Sequence, residues 1–312
     1  MKVSVCMITY NQEKFIAQAI ESVMMQQTNF RHELVIGEDC STDKTREICI
    51  EYQEKYPDKI RLLLHEKNLG MMQNFFQTFQ ACQGQYVALL EGDDYWIAPH
   101  KLQKQTDFLD THPDYATCFT RTLAFAEDNG RKPYYIPAPK YQKHTLTLED
   151  LLRCNSIATC SVMFRNQLSR SLPDWFFSLQ MGDWPLHIMN AQHGKIGYID
   201  ELMAAYRLHG GSYYSSHSVV ENLLGMVRFY DAINAHLNFK YHSLIKEMLA
   251  QTYMLLASEY LRRKDKVSAR RYALGSVKTL PLSAYFSKTG VIILGGWLLI
   301  SAKSIAQRQA KG

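Results

Sequence analysis

The chain has 312 residues, 46% of them apolar and 21% charged, which leaves room for one large domain with an appendage and excludes a disordered polymer. The net charge of +5 is unevenly spread: residues 261–312 hold eleven Lys or Arg against Asp265 alone, a net of +10, leaving −5 for residues 1–260. A near-neutral body therefore carries a basic tail suited to an anionic surface, either phosphate-rich lipid or nucleic acid.

Val3–Thr9 (VSVCMIT) opens the chain as a short apolar run fit for a buried strand, without a charged leader and cleavage pattern ahead of it. The seven cysteines show no zinc spacing and read as reduced thiols, so a cytoplasmic chain is expected. Asn11 is the expected cap of a first helix, whose face is Phe15, Ile16, Ala19, Ile20 and Val23. Glu33–Gly37 is a second strand, followed by a helix capped by Ser41 or Asp43 and running to about Tyr56. Ile60–His65 is a third strand, Phe75, Phe76 and Phe79 mark a helix, and Tyr86–Leu90 is a fourth strand. Strands interleaved with helices of this length predict an α/β fold with a mostly parallel sheet covered on both faces. Beyond about Tyr115 the pattern is mixed, with a strand near Thr117–Ala126 and a Pro/Tyr-rich loop at Lys132–Lys143. After Ser218 it is all helical, with Arg262–Lys266 as a charged turn between two helices. The apolar run Gly290–Ile300 is too short to span a bilayer and fits an interfacial or a buried segment.

In parallel sheets ligands bind at the carboxyl ends of the strands, so polar residues should gather there. Thr9-Tyr10-Asn11, Glu38-Asp39-Cys40-Ser41 and Glu91-Gly92-Asp93-Asp94 do follow three of the strands. Three acids in four residues suit Mg²⁺ or Mn²⁺, whose hard oxygen ligands are carboxylates, although Gly-Asp-Asp is also ordinary turn chemistry. The Glu38–Asp43 cluster fits either a base-reading carboxylate or a capped helix start.

These clusters in this order, with Asn68-Leu69-Gly70 and Gly84-Gln85-Tyr86 between them, resemble the family-2 glycosyltransferases of the GT-A fold, over roughly residues 1–210. The resemblance implies a nucleotide-binding part over 1–112, an acceptor-side part over 113–217 and a helical C-terminal region over 218–312. It implies inverting transfer from a nucleotide-sugar, usually a UDP-sugar, with a divalent metal, to a saccharide or lipid-linked acceptor in surface polysaccharide synthesis. By position Thr9, Tyr10 and Asn11 would line the nucleotide site beside Glu38, Asp39 would read the uracil, and Asp93 would lie near the ribose and diphosphate. Asp94 would hold the metal with Asp93. The family commonly has Asp where this chain has Glu38 and Glu91, which lengthens two side chains at constant charge. In Met181-Gly182-Asp183-Trp184-Pro185, Asp183 matches the general base that deprotonates the acceptor; the same residue would also serve as a helix N-cap. Cys160–Arg165 resembles the acceptor-side strand. Tyr206-Arg207-Leu208-His209-Gly210-Gly211-Ser212 resembles the closing segment, where Arg207 or His209 would meet the diphosphate, His209 would complete the metal shell, or both would belong to a polar loop. Tyr95, Trp96 and Trp184 would either stack on sugars or pack the core, and Glu91 and Tyr95 would border the donor.

Competing readings fare worse. No G-x-G-x-x-G follows the first strand and no G-x-x-x-x-G-K-[ST] occurs, which removes dinucleotide-binding dehydrogenases and P-loop kinases. A nucleotidyltransferase would carry an early Gly/Lys-rich signature that is absent. An inactive homologue serving as a binding subunit stands as the alternative, against which Asp94 and Asp183 occur together. The basic tail then offers either contact with an anionic membrane at its inner face or a helical lid, and the resemblance brings no nucleic acid partner.

Overall fold

Short apolar runs become strands here because each is walled by helices on both sides. The structure is a computed structural model and describes residues 1–126, 132–139, 142–167, 172–210, 217–280 and 284. Gly290–Ile300, the basic residues beyond 284, and Gly211 and Ser212 lie outside the described residues. The strands β1 (Val3–Thr9), β2 (His32–Glu38), β3 (Ile60–Leu64) and β4 (Tyr86–Glu91) alternate with α1 (Ile16–Met24), α2 (Thr45–Lys55) and α3 (Met71–Ala81). β1 pairs in parallel with β2 and β4, and β2 with β3, giving the order β3-β2-β1-β4. β1, β2 and β4 are buried almost throughout, as a parallel sheet covered on both faces requires. Ile16, Ala19, Ile20 and Val23 of α1 join Val3, Val5, Met7, Leu34, Ile36, Ala88 and Leu90 in one core. Because the winding reverses between β1 and β4, a crevice opens beyond their carboxyl ends.

The rest of the first unit completes a mixed sheet: β5 (Tyr95–Trp96), α4 (Lys101–Thr111), β6 (Tyr115–Ala126), β7 (Tyr134–Ile136), β8 (Thr145–Leu146), α5 (Leu148–Arg153), β9 (Met163–Arg165), α6 (Asp183–Ala191) and β10 (Lys195–Leu208). β9 lies antiparallel between β4 and β6, and β10 runs parallel to β6. The two-residue β5 pairs antiparallel with β10, Tyr95 against Ala205 and Trp96 against Ala204. That pairing carries the end of β10 to the loop that follows β4.

Three local expectations change. Asn11 does not cap α1: it has a φ of 52° and accepts the Thr42 N–H at 2.8 Å, while the first helical turn closes on the Gln12 carbonyl. Neither Ser41 nor Asp43 is the N-cap of α2; that position is Lys44, although Asp43 does accept the Thr45 N–H at 2.9 Å. The Lys132–Lys143 loop contains strand β7, paired to β6.

The contacts divide the chain into two compact units, Met1–His209 and Gly210–Gly312. The second holds α7 (Val219–His236), α8 (His242–Arg262) and α9 (Lys266–Thr279). Ser218 and Glu221 form a capping box at α7, and Asp265 caps α9 by accepting the Ser268 N–H at 3.0 Å. Ala257, Ala269 and Ala273 let α8 and α9 approach closely, and Tyr260 stacks on Tyr272 at 5.4 Å. Among the described residues no helix is long and apolar enough to cross a membrane.

Candidate active site

The loops after β1 and β2 form one wall of the crevice, and they are laced to each other. The Asn11 N–H donates to Ser41 Oγ at 3.0 Å, the Gln12 N–H to Thr45 Oγ1 at 2.7 Å, and the Glu13 N–H to Asp43 Oδ2 at 3.1 Å. Glu38, fully buried, accepts the Ser41 N–H at 2.7 Å through Oε1 and the Arg46 guanidinium through Oε2. Its carboxylate thereby holds the turn. Asp39 is also buried, and its two oxygens accept the N–H groups of Leu69 at 2.7 Å and Gly70 at 2.9 Å. Gly70 has a φ of +81°, a backbone that L side chains rarely adopt, and this conformation aims its N–H at Asp39. Thr9 is buried, its hydroxyl donating to Gln12 Oε1 at 2.8 Å, whereas Tyr10 is exposed at the rim.

Glu91-Gly92-Asp93-Asp94 forms the opposite wall. A Cβ on Gly92 would collide with Gln12 Oε1 and lie 2.8 Å from the Thr9 hydroxyl, so only glycine lets the two walls meet here. Ligand atoms of Glu91, Asp93 and Asp94 all lie within 4.8 Å of one another. Asp94 is 1% exposed; its Oδ1 accepts the Arg207 backbone N–H at 2.8 Å, and no N–H or O–H among the described residues reaches its Oδ2, the carboxyl having only the weak Cys160 thiol beside it. Burial, then the charges of Asp93 and Glu91, hold the Asp94 carboxyl well above the usual range. Burial, then Asp93 and Asp183, push Glu91 up to about 8. Three acids are thus held together at a cost that a divalent cation would offset, and the all-oxygen donor set fits Mg²⁺ or Mn²⁺.

The β5–β10 pairing brings the closing segment onto these acids. Arg207 is buried, donates from Nε to the Asp93 carbonyl at 2.9 Å and from Nη2 to Gln18 Oε1 at 2.8 Å, and lies over the rings of Phe15, Phe125 and Tyr95. His209 Nε2 stands 2.9 Å from Asp93 Oδ2, its ring 5.0 Å from that of Phe15. Arg207 and His209 therefore both converge on Asp93.

Asp183 is the first residue of α6 and not its N-cap, which is Gly182. Its Oδ2 accepts the Asn155 side-chain N–H at 2.9 Å, and its charge reaches both Glu91 and His187. An acid in the first turn suits the helix dipole, and Pro185 removes an N–H that would lack a partner there. The aromatics divide: Trp96 is buried with its indole N–H on the Cys160 carbonyl at 2.7 Å, Trp184 is buried with its indole N–H on the Leu151 carbonyl at 2.8 Å, and half-buried Tyr95 supports Arg207. The Trp184 indole thus ties α6 to α5. Sequence reasoning passed over Asn155, Gln12, Gln18 and His187; each is a lone polar residue without a motif of its own.

A family model described as Glycosyl transferase family 2 matches residues 4–171. An uncharacterized protein of Mycobacterium tuberculosis is 39% identical over 216 residues, 69% of this chain and 61% of the relative, so the match spans under two thirds of that protein. TuaG of Bacillus subtilis, named as a glycosyltransferase of teichuronic acid biosynthesis, is 32% identical over 67% of this chain and 80% of its own. TarS of S. aureus in complex with UDP-GlcNAc has a TM-score of 0.66 at 18% identity, covering 99% of this chain and 92% of that one. The mannosyltransferase PcManGT of Pyrobaculum calidifontis, in complex with GDP-Man and Mn²⁺, has a TM-score of 0.58 at 14% identity, covering 96% and 86%. At these identities the structural likeness shows the fold alone, a GT-A-like mostly parallel sheet flanked by helices. With more than half of its length matched and its sheet wound as expected, the chain belongs to glycosyl transferase family 2.

Proposed function

We propose that the chain is a metal-dependent inverting glycosyltransferase, taking a sugar from a UDP-sugar to a hydroxyl of a saccharide or lipid-linked acceptor in polysaccharide synthesis. The observation that carries this reading is the buried Asp94 oxygen that no N–H or O–H reaches, beside the Glu91 and Asp93 carboxylates. Asp94 and Asp93 would hold Mg²⁺ or Mn²⁺, with His209 as a further ligand in place of its bond to Asp93. The metal, when bound, neutralises charge on the leaving diphosphate. Tyr10, exposed on the rim, is positioned to cover a base, and Asp39 keeps a lone pair on each oxygen for a base N–H. Arg207 anchors the Asp93 backbone, which fixes the acids before any ligand arrives. Asp183, steadied by Asn155, accepts the acceptor proton as the hydroxyl attacks. The name of TuaG, a glycosyltransferase of teichuronic acid biosynthesis, supports the polysaccharide context, and the UDP-GlcNAc bound to TarS makes UDP-sugars the first donors to try.

A thermal-shift series with UDP, GDP, CDP and dTDP, each with Mn²⁺ and with EDTA, tests the reading by mass action. UDP should stabilise the protein only with metal. No shift from any nucleotide would sink the enzyme reading in favour of a binding subunit. For the anionic membrane, Val267, Arg270, Arg271, Leu274 and Lys278 make one exposed, acid-free face of α9 that supports peripheral contact. Flotation with anionic liposomes should recover the protein, and equal recovery on neutral ones would remove that part of the proposal.

A further inference from the structure

A polar line runs along an otherwise apolar helix. Asp183, His187 and Asn190 stand at i, i+4 and i+7 of α6, hence on one face, among Trp184, Leu186, Ile188 and Met189. His187 is fully buried, and neither of its ring nitrogens has a hydrogen-bond partner among the described residues; the Asn190 amide nitrogen, also buried, is in the same position. Leaving such groups unpaired costs on the order of 1–3 kcal/mol each, which an apolar side chain of similar volume would avoid. Core packing alone therefore does not account for an imidazole here. Burial pushes His187 down to about 4, against the opposing pull of Asp183, so at neutral pH the ring is uncharged and keeps one N–H to donate. In the structure Asn155 supplies the hydrogen bond to Asp183, through Oδ2, from outside the helix.

We infer that His187 is a positioning residue for Asp183: one turn deeper on the same face, its ring N–H steadies the carboxylate from the core side when the cleft is loaded. Catalytic hydrogen bonds commonly tighten only in the substrate complex, so an unclosed contact in the free enzyme is consistent with this role. The inference rests on reading Asp183 as the general base.

The test follows release of nucleoside diphosphate, with water as acceptor, from UDP-, GDP-, CDP- and dTDP-sugars with Mn²⁺. It compares wild type, Asp183→Asn, His187→Leu, His187→Gln and the Asp183→Asn/His187→Leu double variant. We expect His187→Leu to lower kcat about tenfold with donor KM and the nucleotide thermal shift unchanged within about twofold. His187→Gln, which can still donate, should recover at least a third of wild-type kcat. The double variant should be no slower than Asp183→Asn, because a residue acting through Asp183 has nothing left to position. A kcat for His187→Leu within twofold of wild type, or a double variant tenfold slower than Asp183→Asn, overturns the inference while sparing the base. Full activity of Asp183→Asn, or no turnover of any donor by wild type, removes the base reading and this inference with it. If His187→Leu does not fold, His187→Phe takes its place with the same expected outcomes.

Discussion

Two acid clusters with nearly the same sequence, Glu38-Asp39 after β2 and Asp93-Asp94 after β4, behave in opposite ways. In the first, each side-chain oxygen is engaged: Glu38 by Ser41 and Arg46, Asp39 by the Leu69 and Gly70 amides. In the second, Asp94 keeps a buried oxygen that no N–H or O–H reaches, and Glu91 and Asp94 are both pushed toward the neutral form. The first cluster holds the crevice wall together, and the second leaves its like charges uncompensated by the protein. A buried acid with hydrogen bonds to both oxygens is held by the fold before any ligand arrives; one that lacks them, among like charges, is a candidate cation site.

The largest expected effect breaks the second cluster. Asp94→Asn removes the ionisable carboxyl but keeps the acceptor for the Arg207 N–H, so it should abolish the metal-dependent nucleotide shift. The same change should stabilise the metal-free protein by about 1–3 kcal/mol, since it relieves an unpaired buried carboxylate. Loss of ligand response with a raised baseline Tm is the signature to look for. A lowered baseline would mean that Asp94 is structural after all.

Breaking the first cluster should do the reverse. Arg46→Met leaves Glu38 buried with the Ser41 N–H alone, and removing one partner of a buried pair costs about 3 kcal/mol. Urea unfolding should show that loss. The metal-dependent shift should survive at temperatures where the variant is folded, because Arg46 touches none of Glu91, Asp93 or Asp94. If Arg46→Met instead erased the metal response at full stability, the division between the clusters would be wrong.

Much of this was legible in the sequence, and what was not has a physical reason. The parallel strands showed as apolar runs because both faces are buried, and the polar clusters at their ends marked the crevice. The meeting of Arg207 and His209 with Asp93 depends on β5, two residues paired with the far end of β10 and too short to carry a periodic signal. Glu38 could not be told from Asp93 by type or spacing, since what separates them is Arg46, one of many surface-looking arginines in a helix. Trp184 beside Asp183 fitted a sugar platform as well as a core residue, and no spacing in the sequence points to Leu151, whose carbonyl takes its indole N–H. Asn11 had the composition of a helix cap, but tertiary lacing to Ser41 and Thr42 claimed its backbone and side chain.

The remaining effect is graded with pH and sharpens the contrast further. The Glu91 carboxyl rises from an ordinary 4.5 to about 8 in the folded, metal-free protein, so the folded chain keeps a proton that the unfolded chain gives up. Since the unfolded state binds fewer protons across that window, the metal-free stability contributed by this group falls as pH rises from about 4.5 to about 8. A divalent cation competes with that proton, because carboxylates bind metal in the charged form. The stabilisation produced by Mn²⁺ should therefore grow with pH over the same interval and level off above about 8. In Glu91→Gln the growth should shrink, leaving the part due to Asp94. Calorimetry at a series of pH values, with Mn²⁺ and with EDTA, reads this directly. A metal effect that is flat with pH would place the cation away from Glu91 and return the cluster after β4 to the same class as the one after β2.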